Sequence, residues 1–117
     1  MNERQYFVVF CTALAATLLL GGSSVASAAD EAAARNLARQ SNCFQCHSVD
    51  KKKDGTAWKD VGIKYQRNAD AEAIVTKHIT SGEKVKFGDG HEEDHAVVKS
   101  KDPKEIKNLV EWILSLH

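Results

Sequence analysis

The chain has 117 residues, of which 16 are basic and 16 acidic, and its formal net charge of +0 at pH 7 excludes a nucleic-acid binder that works through a basic surface. It carries three cysteines and a single methionine, Met1. Chemistry built on sulfur therefore has few positions to occupy.

In chain order, a polar start with Arg4 leads into the apolar run FVVFCTALAATLLL at 7–20 and then into the small and polar GGSSVASAAD, the layout of a secretory signal peptide. The run falls short of the about 20 residues that a membrane-spanning helix needs, and the missing stop-transfer flank weighs against an uncleaved anchor. Ala26-Ser27-Ala28 and Ser27-Ala28-Ala29 both offer small residues for cleavage. Residues 1–28 are therefore expected to be a signal peptide and 29–117 a single exported domain, with the cut defined to within one residue. Cys11 leaves with the signal, and Phe10 before it is too bulky for a lipoprotein signal. Cys43 and Cys46 remain. A domain of this size buries a marginal share of its surface and generally needs a disulfide, a metal or a cofactor to hold it.

Residues 31–40 (EAAARNLARQ) predict an alanine-rich helix with Ala33, Ala34, Leu37 and Ala38 on one side, ended by Ser41 and Asn42 just before Cys43. A polar loop follows at 48–56 (SVDKKKDGT), then a short helical piece at 58–65. The next helix is predicted over 69–81, started by Asn68 or Asp70 and stopped by Gly82, with Ile74, Val75 and Ile79 facing the core. The charged segment 83–101 shows neither a helix nor a strand period, and irregular loops of that length in small domains are functional or disordered. Asp102-Pro103-Lys104-Glu105 then sets an N-cap acid, a proline at the first helical position and a glutamate at the third, a capping-box arrangement. Ile106, Leu109, Val110, Ile113 and Leu114 follow at i, i+3, i+4, i+7 and i+8, with Trp112 beside the stripe. No alternating strand run and no internal repeat is present, so the fold class is all-α, with few helices and much loop.

The stretch CFQCH at 43–47 carries the chemistry. Two cysteines separated by two residues serve a redox dithiol, half a zinc site or a covalent haem anchor. A thioredoxin-type dithiol expects a strand feeding the pair within a βαβ unit, and none is predicted. Tetrahedral zinc needs four ligands, which His91 and His95 would have to complete. The histidine directly after the second cysteine favours the third reading, since C-x-x-C-H is the attachment signature of c-type haem. Two thiols at this spacing bond the two vinyl groups on one porphyrin edge, and the next residue lies where its imidazole reaches the iron. Cys43 and Cys46 are thus the candidate thioether residues and His47 the candidate proximal ligand of one covalent haem c. Export agrees with this, because such attachment follows translocation.

On these residues the chain resembles the small bacterial class I c-type cytochromes. A helix leads into CFQCH; GTAWKDVGIKY at 55–65 is similar to the family's loop and short helix after the haem motif; AEAIVTKHITSG resembles its middle helix and EIKNLVEWILSL its last. The resemblance implies a class I cytochrome c fold, few helices wrapped around one haem, in which the first and last helices cross, here through Ala34, Leu37, Leu109 and Trp112. Two departures stand out. Gly55-Thr56 replaces the family's Gly-Pro, whose proline carbonyl orients the proximal histidine, a task that a threonine carbonyl can also perform. The family's distal methionine has no counterpart, because the single methionine is Met1.

The remaining distal candidates are His78, His91, His95 and His117. The family's methionine would fall at about Ala96, next to His95, and the apolar Ala96-Val97-Val98 that follows suits a haem face. His95 is the expected distal ligand and His91 the second choice. His78 reads as a surface or satisfied residue, and His117 as a fraying terminus. The remaining alternative is an open or water-bound iron that takes a small gas such as nitric oxide or carbon monoxide. Imidazole in place of a thioether lowers the haem potential, and iron that stays six-coordinate reorganises little between oxidation states. No nucleophile–base pair, paired carboxylate or phosphate loop accompanies the haem motif. The expectation is a periplasmic monohaem electron carrier of low potential, not an enzyme, exchanging electrons with redox partner proteins. A haem-based gas-binding protein and a haem subunit of a larger redox complex are the alternatives.

Other features carry plainer readings. Lys51-Lys52-Lys53 reads as a solvated loop before a docking patch for an acidic partner. The stretch 91–95 (HEEDH) lacks a calcium-loop pattern. Trp58 and Tyr65 either bond haem propionates, as similar positions do in the family, or simply pack. Phe87, Val97, Val98, Ile74 and Ile79 are the expected apolar lining.

Overall fold

The structure, a computed structural model, describes residues 28–117; the expected signal peptide lies outside the described residues up to its last position. Four α-helices are formed: α1 (Glu31–Gln40), α2 (Trp58–Tyr65), α3 (Ala71–Ser81) and α4 (Pro103–Ser115). A 3-10 turn over Cys43–Gln45 follows α1, and a hairpin of two short strands, β1 (Lys84–Lys86) and β2 (Glu92–Asp94), follows α3.

Helix α4 is the common partner of α1, α2 and α3. Its apolar stripe buries Leu109, Val110 and Ile113, and Trp112 joins them in the core rather than flanking it. Facing it, α1 contributes Ala34, Leu37 and Ala38. Small side chains let the two backbones approach, as the expected crossing of first and last helices requires. The Arg35 guanidinium lies 4.8 Å over the Trp112 ring, covering its outer face. On the α2 side the approach is closer still: a Cβ on Gly62 would fall 1.7 Å from the Leu116 carbonyl oxygen beyond the end of α4.

The helix ends follow their caps. Asp30 accepts from the Ala33 amide at 3.0 Å and Asp102 from the Lys104 amide at 2.8 Å. The expected capping box is relayed: the Asp102 amide donates to the Ser100 hydroxyl at 3.0 Å, and that hydroxyl donates to Glu105. Helix α3 starts two residues later than expected, because Asn68 accepts from the Asp70 amide at 2.8 Å and holds the preceding turn out of the helix. Gly82, at φ +64°, closes its other end.

Two expectations are corrected. Residues 83–101 are not wholly irregular: Lys84 pairs with Asp94, Val85 with Glu93 and Lys86 with Glu92 in an antiparallel register. Gly90, at φ +94°, turns the chain between the strands. Both faces of this hairpin are largely exposed, so no hydrophobic alternation marks it in the sequence. On α3 the buried row is Ala71, Val75 and Ile79, and Ile74 is 39% exposed. Positions i, i+4 and i+8 line one side of a helix, and Ile74 lies at its edge.

Candidate functional site

Asn42, left-handed at φ 60°, sends the chain from α1 into the 3-10 turn. The Cys43 carbonyl accepts from the amides of Cys46 at 3.3 Å and His47 at 2.9 Å. This coil puts Cys43, Cys46 and His47 at i, i+3 and i+4, the spacing that shares one face of a turn. The two cysteines are half-buried and are not joined to each other. Burial holds the Cys43 thiol above its ordinary pKa.

Three features fix the His47 ring. Its Nδ1 lies 2.8 Å from the Thr56 carbonyl oxygen; a carbonyl only accepts, so Nδ1 carries the proton and Nε2 presents its lone pair. Gly55, whose amide donates to the Cys46 carbonyl at 2.8 Å, leaves room for the ring: a Cβ there would stand 2.5 Å from His47 Cε1. Trp58 stacks at 5.8 Å between centroids, and itself meets Phe44 at 5.0 Å and Trp112 edge-on at 5.4 Å. Burial lowers the His47 pKa, only partly opposed by the Thr56 hydrogen bond. The neutral, metal-binding form of the imidazole is favoured.

Across from it stands His95. The two ring centroids are 6.0 Å apart with planes inclined at 56°, and His95 Nδ1 is buried without a hydrogen-bond partner. Burial, then the neighbouring His78 and His47, lowers its pKa. The segment is pinned at three points: the His95 amide donates to the Glu83 carbonyl at 2.9 Å, the Val98 amide to the Ile79 carbonyl at 2.9 Å, and the Lys99 amide to the buried Ser41 hydroxyl at 3.0 Å. The loop is thereby held by the ends of both α1 and α3.

The other histidines separate clearly. His91 sits exposed on the hairpin, with Nδ1 bonded to Asp89, Nε2 lying 3.2 Å from Glu93, and its ring stacked on Phe87 at 4.3 Å. His117 is exposed at the chain end. His78, expected to be a surface or satisfied residue, is satisfied by Glu83 Oε1, 2.6 Å from its Nδ1, and also lies inside the cluster, its ring 4.1 Å from that of His95. The available signal was the glycine stop four residues later, which turns the chain back so that Glu83 meets the last turn of α3.

Of the expected lining, Ile79 and Val98 are buried and Phe87 is half-buried, whereas Val97, like Ile74, is exposed. Trp58 is a core residue, and Tyr65 is half-buried beneath the Lys64 ammonium, 5.0 Å from its ring centre. Among the described residues no three histidine, cysteine or carboxylate side chains converge as a metal-ion site, and no strand feeds Cys43. Neither the zinc nor the dithiol reading gains support.

The Cytochrome c family model matches residues 31–117. The chain is 42% identical over 74 residues to cytochrome c-551 of Pseudomonas denitrificans, covering 63% of this chain and 85% of that protein. It is 32% identical over 105 residues to cytochrome c-552 of Nitrosomonas europaea, covering 90% and 92%. Among solved structures it is similar to the class 1 cytochrome MtoD from Sideroxydans lithotrophicus ES-1, with 59% identity, 76% of this chain and 98% of that chain covered, and a TM-score of 0.72. Helices α1 and α4 packed together beside a CxxCH turn and a family match along the whole helical domain converge: the chain belongs to the cytochrome c family, as a class I electron-transfer protein with one covalent haem c and no enzymatic role.

Proposed function

We propose that the protein is a periplasmic electron carrier of low potential, in which Cys43 and Cys46 form the haem thioethers, His47 is the proximal ligand and His95 the distal one. The observation that carries this is the 6.0 Å between the His47 and His95 ring centroids. Two metal–imidazole bonds of about 2 Å each, with the short step from each nitrogen to its ring centre, span about that distance. The unpartnered Nδ1 of His95 and the neutral imidazoles fit the same donor set. Without methionine beyond Met1, nitrogen is the donor these residues offer.

When bound, the haem supplies the one-electron iron couple. The chain's own work is to hold it. The Thr56 carbonyl fixes the tautomer and plane of His47 and raises its basicity. The 95–99 segment, pinned at three points, would hold the His95 imidazole toward the haem, and imidazole in place of a thioether would lower the potential. Export is supported by the apolar run at 7–20 and the small residues after it, which make 1–28 the signal peptide and 29–117 the working domain. No helix among the described residues is long and apolar enough to cross a membrane.

Carbon monoxide added to the reduced holoprotein tests this. An unchanged spectrum is expected of a carrier whose sixth position is filled. Rapid ligation would assign the chain to gas binding instead.

A further inference from the structure

Beside the proposed ligand pair stands a third imidazole. His78 lies within 4.1 Å of His95, centroid to centroid, and its surroundings are those of a ligand. Its Nδ1 donates to Glu83 Oε1 at 2.6 Å, so the other ring nitrogen is left to bind elsewhere. A carboxylate on the far nitrogen is the support that metal-ligating histidines ordinarily have, and its loss typically costs 10–100-fold in metal affinity. His95 has no carboxylate bonded to its ring, and its Nδ1 makes no side-chain hydrogen bond. The better-placed ring thus lacks the buttress, and the buttressed ring stands beside it.

Glu83 joins the two. Its carboxylate holds His78, and its backbone carbonyl accepts from the His95 amide at 2.9 Å. The His78 side chain is 39% exposed, so packing does not enclose the ring on every side. Its backbone belongs to the last turn of α3, closed by Gly82, so the helix itself holds it.

We infer that His78 is a second distal ligand, able to take the position opposite His47 whenever His95 leaves it. This rests on the bis-imidazole ligation proposed above. Its consequence is an iron that stays six-coordinate, and closed to small ligands, through openings of the 95–99 segment.

The test uses the exported holoprotein and its His95→Ala, His78→Phe and double variants, with retained covalent haem and far-ultraviolet circular dichroism as checks on loading and folding. Phenylalanine keeps a ring against His95 and removes both ring nitrogens, the one free to ligate and the Nδ1 bonded to Glu83. His95→Ala is expected to keep a low-spin, two-imidazole spectrum, and the double variant to become high-spin and to bind carbon monoxide when reduced. A His95→Ala protein as high-spin as the double variant overturns the inference and leaves His95 as the ligand. A parent without a two-imidazole spectrum overturns the ligation beneath it. Should His95→Ala not load or fold, His78→Phe alone decides: under saturating carbon monoxide the reduced variant is expected to convert where the parent does not, and a variant as inert as its parent overturns the inference.

Discussion

Gly55 and Thr56 act on His47 in different ways, and substitution separates them. A methyl group on Gly55 would stand 2.5 Å from His47 Cε1, so Gly55→Ala must displace the ring and strain its bond to the Thr56 carbonyl. Overpacking of this kind costs about 1–3 kcal/mol, and denaturant unfolding of the holoprotein is expected to show a loss of that order together with a changed spectrum. Thr56 offers only its backbone carbonyl, at 2.8 Å, and its side chain is exposed. Thr56→Ala should leave the spectrum unchanged and stability within about 0.5 kcal/mol. At this scale the sequence was informative: CxxCH and the missing methionine pointed to the residues that the fold brings together. His78 was among the four candidates but was not singled out, because Glu83 meets it across Gly82, a contact made by a turn and invisible to helical periodicity.

The elements differ in how they could be read. Helices α1 and α4 bury one stripe each against a partner, so a 3.6-residue period is written into them. The hairpin buries almost nothing, and backbone hydrogen bonds such as His95 to Glu83 and Phe87 to His91 hold it, beside the exposed Lys84–Asp94 pair at 2.6 Å, so no apolar period betrays it. The His91 clasp in this hairpin gives a pH prediction. Hydrogen bonds first to Asp89, then to Glu93, raise its pKa; the stabilisation is therefore complete below the ordinary histidine value of about 6.5 and is lost as pH rises through the higher folded value. A histidine proton resonance titrating with a midpoint above that ordinary value, and moving down in Asp89→Asn, is the expected result. Helix α2 depends on closeness rather than periodicity. Gly62→Ala would drive a methyl group into the Leu116 carbonyl oxygen, and a melting comparison is expected to show destabilisation of about 1–3 kcal/mol, without change in haem ligation.

For the molecule as a whole, α4 is the hub and Trp112 its centre, lying between Arg35 of α1 and Trp58 of α2. Trp58 stacks in turn on His47, so the packing that stabilises the domain also backs that imidazole. Trp112→Ala is expected to cost about 3–5 kcal/mol, a large part of the 5–15 kcal/mol typical of a domain, and equilibrium unfolding should find the variant marginally stable with its haem still covalently attached. The all-helical core was legible because α1, α3 and α4 each present an apolar side to one centre; the placement of the 95–99 segment was not, since it is pinned by the isolated bonds to Glu83, Ile79 and Ser41. The most direct test of the ligation at this centre is electron paramagnetic resonance of the oxidised, purified holoprotein. Nitrogen donors on both sides of the iron predict a low-spin signal of two imidazoles; a predominantly high-spin, five-coordinate signal would contradict it.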